Sequence, residues 1–433
     1  MAGVFNGRSD IAPSTRAHIP SPHNVVFSPD TTGPLVGAAI NVRYGVAYNR
    51  SQACGGNVTL SWFAHRSMWN VMVTVVEWVP GPSSPPSCKV GIQSYAVSMD
   101  GTPDFTLADV TPAGSATTQW LGDNVTPELA TLNKTTIALV FDAIPPTVVL
   151  SQDAPAARFL LAGVSSLEAG SPQATLSGAV AAYKRAAAQS TADLLAGNTA
   201  AWDALWADGG ISVAGNITVA AAVNSSLYYQ LASVRDNWPY GMSPGGLAID
   251  SYHGHTFWDQ DTWMMGGLTF LFPNLSRSLL AYREARLDAA VQRAKAIQHP
   301  GANWPWESAL TGVDCNSVGH PETVYEQHIT GDIVMAFKTY YRQTLDVDWL
   351  GVDAWEPVKQ SCTFLASRFQ RHNGTGNYTI LHVQPPDESE VNVNSSAYTN
   401  AVAAESLKFC LEAADLLSMS VPSNWSTIAN NVL

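Results

Sequence analysis

The chain reads as two textures joined in series: an N-terminal antiparallel β-sandwich, a helical linker, and an α-helical domain. Three observations carry this. Short Val-, Thr- and Trp-rich runs fill the first third, punctuated by Gly, Pro, Asn and Asp. Near Gly170 the composition turns Ala-rich with strong helix formers. Beyond residue 220, apolar residues recur at helical spacing between Gly- and Pro-rich loops.

The elements follow in that order. Within 1–165, "VTLSWFAHRSMWNVMVTVVEWV" (58–79) alternates in part with period two, and "TTIALVFDAI" (135–144) and "TVVLS" (147–151) are apolar runs bounded by Pro. The linker, 166–215, holds "ATLSGAVAAYKRAAAQSTADLLAG" (174–197). It also holds Trp202 and Trp206 at i, i+4, with Gly209 and Gly210 as a stop. The remainder, 216–433, contains four long helical patterns, among them "SRSLLAYREARLDAAVQRAKAIQ" and "AYTNAVAAESLKFCLEAADLL". Unusual residues collect in the loops between them, where function sits on a rigid scaffold.

The bulk numbers narrow the function. A length of 433 residues implies more than one domain, and 46% hydrophobic against 13% charged residues gives ample core and argues against disorder. A formal net charge of -13 argues against nucleic acid and an anionic membrane surface, since phosphates need clustered Lys and Arg. No apolar stretch reaches the length of a membrane span. Eleven Asn-x-Ser/Thr sequons suit a secreted or vacuolar/lysosomal glycoprotein, whereas the N-terminus as written carries no signal peptide; the expectation is that Met1 is an internal methionine. Of the five cysteines, none forms a CxxC pair; Cys54 and Cys88 could bridge, or all five are buried thiols.

"GHTFWDQDTWM" (254–264) crowds indoles against carboxylates. If Trp258 opens a helix, Asp259 and Asp261 lie in its first turn, where the helix dipole favours their ionised forms. An ionised carboxylate accepts bonds from sugar hydroxyls while the apolar sugar face rests on an aromatic ring. A capping acid on a Trp-rich core helix is the plainer alternative. Trp238, Tyr240, Trp304 and Trp306, all in Gly/Pro loops, weigh against it. The DQD differs from a metal-binding DxD because helix rather than strand follows, and the histidines of "HGH" lack a third ligand at zinc spacing. "WPWES" and "YEQHITGDI" add Glu307 and Glu326. In "VQPPDESEVNVNSSAYTN" (383–400), Asp387, Glu388 and Glu390 crowd together, and like charges raise the pKa of one member, as a general acid requires. A solvated acidic turn is the alternative.

Taken in order along nearly the whole chain, these stretches resemble glycoside hydrolase family 65. The blocks are "RAHIPSPHNVVF", "MSPGGLAIDSYHGHTFWDQDTWM", "GANWPWESALTG", "YEQHITGDI" and "PPDESEVNVNSSAYTN". The resemblance implies a β-sandwich, a helical linker and an (α/α) barrel of six helical hairpins, of which this chain holds an incomplete part. It implies cleavage of α-glucosides with inversion, with no cofactor. Members that use water include acid trehalases and the glucosidases that trim glucosyl-galactosyl-hydroxylysine; others use phosphate. By the resemblance, Glu388 falls on the general acid, Trp258 and Asp259 on positions that hold glucose, and Trp306, Glu307 and Glu326 on further pocket positions. Ser389 and Glu390 depart from the Tyr-His that phosphorylases and hydroxylysine glucosidases usually carry there, which weakens the phosphorylase reading. Inversion needs a second carboxylate roughly 6.5–9.5 Å from the acid. The family's base lies beyond the position of Leu433, so the expectation is a fragment with a sugar platform and an acid, and no turnover on its own.

Overall fold

The computed structural model describes residues 3–9, 14–95, 103–316 and 319–433. These form two compact units. One comprises 17–127 and 133–228; the other comprises the described residues of 3–16 with 128–132 and 229–433. These units follow packing rather than composition, so they cut across the segments 1–165, 166–215 and 216–433.

The first unit is built on an eight-stranded antiparallel sheet. Its strand order is Leu35–Asn41, Val46–Ala53, Gly56–Ala64, Val71–Val79, Ala156–Ser165, Thr136–Phe141, Thr118–Asn124 and Phe105–Asp109. A three-stranded sheet of Thr147–Ser151, Ser87–Ser94 and Val25–Phe27 packs on one face. Val58, Leu60, Val76 and Trp78 of the large sheet meet Cys88, Val90, Val148 and Leu150 of the small one in a common core. The Cys54–Cys88 disulfide lies in this region, and Cys315, Cys362 and Cys410 are buried thiols.

The helical segment covers the other face of the large sheet. Ala182 and Ala186 of Pro172–Ala187, and Leu194 of Thr191–Gly209, pack on Val71, Val73 and Val75. Strand Val71–Val79 is therefore covered on both faces, which explains a nearly continuous apolar run in place of strict alternation. These helices are structural members of the unit rather than a bare connector. The run 58–79 also proves to be two strands. His65 and Met68 close a turn between them, with the Met68 amide donating to His65 Nδ1 (3.1 Å) and the Val71 amide to the Met68 carbonyl (2.8 Å).

In the second unit, helix His328–Thr344 is central and packs against Met265–Leu271, Pro273–Glu284, Trp355–Arg368 and Ala397–Leu416. Its buried side includes Ile329, Ile333, Val334 and Phe337. Gly331 permits the close crossing with Ala397–Leu416, because a Cβ there would sit 2.9 Å from Val402 Cγ1. The apolar pattern over 276–298 is split into Pro273–Glu284 and Leu287–Ala296. At the break the Arg286 guanidinium donates to the carbonyls of Leu310 and Pro239 (both 3.0 Å).

Candidate active site

The FWD stretch sits where a two-residue strand, Thr256–Phe257, hands over to a π-helical turn, Gln260–Met264. Such turns inside helices are frequent at functional sites. Upstream, Tyr252, His253 and Gly254 all adopt left-handed backbone (φ 61°, 55° and 73°), a strained run for two non-glycine residues. Arg16 braces the preceding loop by donating to the carbonyls of Gly246 (2.7 Å) and Ile249 (2.6 Å) and pairing with Asp250. A Cβ at Gly254 would meet the Arg16 side chain at 2.6 Å, so this approach needs glycine.

The two acids of DQD separate in role. Asp261 is buried and paired with Arg283, Oδ2 to Nη2 at 2.5 Å; the same guanidinium donates to the Phe257 carbonyl (3.2 Å). It is a structural anchor for the turn. Asp259 stands at the start of the turn without a side-chain capping bond and is half-buried. Burial pushes its carboxyl above the usual range, with Asp261 adding to the rise. The expected ionising effect of the helix N-terminus is thus outweighed by desolvation.

Phe257 pairs in antiparallel register with Glu307, which sets the "WPWES" loop beside the FWD stretch. Trp306 meets Phe257 edge to face at 5.0 Å and stacks with His320 at 6.4 Å. Its indole Nε1 is buried without a hydrogen-bond partner. Glu307 is buried and its Oε2 lies 2.8 Å from His255 Nδ1. Trp304 does not join them: it is fully buried, its Nε1 donates to Ser361 (2.9 Å), and it belongs to the core.

Glu326 precedes the central helix. Its Oε1 lies 3.0 Å from His328 Nε2, while Oε2 is buried without a partner. Burial raises its carboxyl, and among the further contributors is the nearby Glu388 carboxylate. His328 Nδ1 lies 2.6 Å from Asp332 Oδ2, and the Tyr398 hydroxyl donates to Asp332 Oδ1 (2.7 Å). Burial opposes charge on His328, but the bonds to Asp332 and Glu326 together outweigh it and raise its pKa to about 9. Trp258, nearly buried, packs edge to face on the same imidazole at 4.9 Å.

Glu388 is exposed on its loop. Gln384 ties that loop to the helical core by donating to the Glu388 carbonyl (3.2 Å) and to Glu322 (3.3 Å); Glu322 in turn pairs with His320. Asp387 turns to Ser389, whose hydroxyl and amide hold it below the usual range.

The structure therefore links Trp258, Trp306, Glu307, Glu326 and Glu388 through contiguous contacts of the second unit, with Asp259 beside Trp258. Sequence reasoning weighed His255 only as a zinc ligand and did not single out His328, Asp332 or Tyr398. The His-x-x-x-Asp spacing of 328 and 332 was the available signal, since it places both on one helix face. Among the described residues, no group of three or more His, Cys, Asp or Glu side chains is arranged to hold a metal ion.

This arrangement is a group of aromatic and carboxylate side chains set on helix ends and loops. Residues 227–430 match the profile of the glycosyl hydrolase family 65 central catalytic domain. A protein-glucosylgalactosylhydroxylysine glucosidase of Dictyostelium discoideum is 32% identical over 454 residues, covering 100% of this chain and 62% of the relative. The chain thus spans about three fifths of that relative's length. A periplasmic/secreted acid trehalase of Candida glabrata is 33% identical over 249 residues, covering 55% of this chain and 20% of the trehalase. A kojibiose phosphorylase structure from the human microbiome superposes with a TM-score of 0.80 at 13% identity, covering 100% of this chain and 64% of that one, a likeness of fold.

Proposed function

We propose that this chain carries the glucose-gripping surface and the general acid of an inverting α-glucoside hydrolase. The observation that carries the reading is a complementary pair of buried atoms without partners in the chain. Trp306 Nε1 can only donate and Glu326 Oε2, when ionised, can only accept. Sugar hydroxyls satisfy both kinds of atom. Buried polar atoms left without partners cost free energy, so a ligand that pairs them gains it back.

In this reading Asp259 and Glu326 accept hydroxyl bonds, Trp258 and Trp306 wall the pyranose, and Glu307, held by His255, lines the same wall. Glu388 protonates the glycosidic oxygen. Water attacks the anomeric carbon from the opposite face, activated by a second carboxylate, as inversion requires. The substrate is an α-linked glucoside. The match along the whole chain to the Dictyostelium glucosidase favours a glucosyl-galactosyl-hydroxylysine glycan, with trehalose as the other candidate. Phosphate replaces water in a phosphorylase; Ser389 and Glu390 favour water.

We also assign the protein to a secretory route. Asn57, Asn133, Asn216, Asn373, Asn394 and Asn424 present exposed sequons, whereas Asn124 is buried and its amide is bonded to Thr126 and Thr135. No helix among the described residues is long and apolar enough to cross a membrane.

Calorimetric titration with the glucose-shaped iminosugar 1-deoxynojirimycin tests the sugar site. Wild type binds, Asp259→Ala abolishes binding, and Glu388→Gln retains it, because an acid acts on the leaving group rather than on ground-state binding. Equal affinity in wild type and Asp259→Ala refutes the assignment. Glucose release from α-glucosides by the longest natural form of the protein, with and without phosphate, separates hydrolase from phosphorylase.

A further inference from the structure

We propose that His328 is a positioning residue: a buried imidazolium clamped between Glu326 and Asp332 that fixes the free oxygen of Glu326 toward the sugar. This rests on the sugar-site reading above and goes beyond it by naming the group that makes Glu326 an acceptor.

The geometry leaves His328 little choice. Nε2 lies 3.0 Å from Glu326 Oε1 and Nδ1 lies 2.6 Å from Asp332 Oδ2, so both ring nitrogens face carboxylate oxygens. Ionised carboxylates only accept, hence both nitrogens must donate. Asp332 also receives the Tyr398 hydroxyl on its other oxygen, so it acts as an acceptor at both. The ring cannot turn away. Trp258 and Tyr398 hold it edge to face at 4.9 and 5.2 Å, and the side chain is fully buried.

The other histidine touching a pocket glutamate differs. His255 Nδ1 meets Glu307 at 2.8 Å, but its Nε2 faces the Ser14 hydroxyl at 3.4 Å, a group that can donate or accept. A neutral ring satisfies that site. Of these two histidines, His328 alone sits between two acids. A neutral ring keeps a single N–H; with that proton on the Asp332 side, Glu326 stands desolvated near Glu388 with neither oxygen paired, conditions that favour its protonated form. A protonated Glu326 is a poorer acceptor for a hydroxyl.

Two measurements test this. Long-range 1H–15N correlation on 15N-histidine-labelled wild type, with His328 assigned by contacts to the Trp258 and Tyr398 rings, should show both nitrogens protonated at pH 7.5. A neutral tautomer overturns the proposal whatever the sugar data say. The second is a double-mutant cycle on 1-deoxynojirimycin affinity. His328→Gln should weaken binding about tenfold or more, and should cost nothing further in a Glu326→Gln background. Equal losses in both backgrounds mean a merely structural role and overturn the proposal. If wild type binds no iminosugar, the sugar-site reading falls, and the NMR result alone decides the clamp.

Discussion

Replacing Asp261 by Asn should destabilise the helical unit by about 3–5 kcal/mol, the usual cost of removing one partner from a buried ion pair. The structure supports the upper part of that range. Arg283 and Asp261 side chains are 1% and 0% exposed, and the guanidinium contacts both carboxylate oxygens, at 2.5 and 3.3 Å. Asn keeps the shape but leaves a desolvated guanidinium without a counter-charge. By contrast, Arg43–Asp203 is largely exposed and solvent-screened, and Asp203→Asn should leave the unfolding midpoint nearly unchanged. The double variant D261L/R283M should recover most of the loss, because two apolar side chains need neither counter-charge nor hydrogen-bond partner. Urea unfolding followed by tryptophan fluorescence measures all four proteins, with the transition of the helical unit analysed separately because two units need not unfold as one. A cost for D261N no larger than that for D203N would refute the reasoning that this pair anchors the FWD turn.

Two further predictions concern stability. Replacing Cys54 and Cys88 by Ser opens a loop of 34-residue separation, which corresponds to about 4 kcal/mol by chain-entropy arguments; the loss should appear in the sheet unit's transition and spare the helical one. Glu284 is raised by burial, with Asp353 adding to the rise, to about 7. Its folded pKa therefore lies above the unfolded value of 4.5, so its contribution to stability is fully present below about pH 4.5 and is lost as pH rises through 7. Glu284→Gln should accordingly be more stable than wild type at pH 8, by up to about 3 kcal/mol, and the advantage should vanish near pH 4.5; a pH-independent difference in melting contradicts this.

Much of the architecture was legible because it is written in local periodicity. The change from strand to helix falls at Ser165 and Ser166, where the composition changes. The FWD, WPWES and YEQHITGDI stretches could be picked out because aromatics and acids in Gly/Pro loops have no obvious role in a core. What escaped the sequence depends on partners distant along the chain. Trp304 and Trp306 are two residues apart in one loop, yet one fills the core and the other meets Phe257 and His320; only the packing of Ser361 and Phe257 decides which. Asp259 was expected to be ionised by its helix end, and desolvation reversed the sign. Asp387 and Glu388 looked like mutually perturbing acids, but Ser389 draws Asp387 away. The clamp on Glu326 needed Tyr398, 72 positions on, brought in by helix Ala397–Leu416.

The central claim is that one pyranose occupies the cluster of Trp258, Asp259, Trp306 and Glu326. A crystal structure of the 433-residue chain with 1-deoxynojirimycin tests it most directly. The account predicts hydroxyls within hydrogen-bond distance of Asp259, Glu326 Oε2 and Trp306 Nε1, and the anomeric side facing Glu388. An iminosugar bound elsewhere, with those atoms untouched, would contradict it.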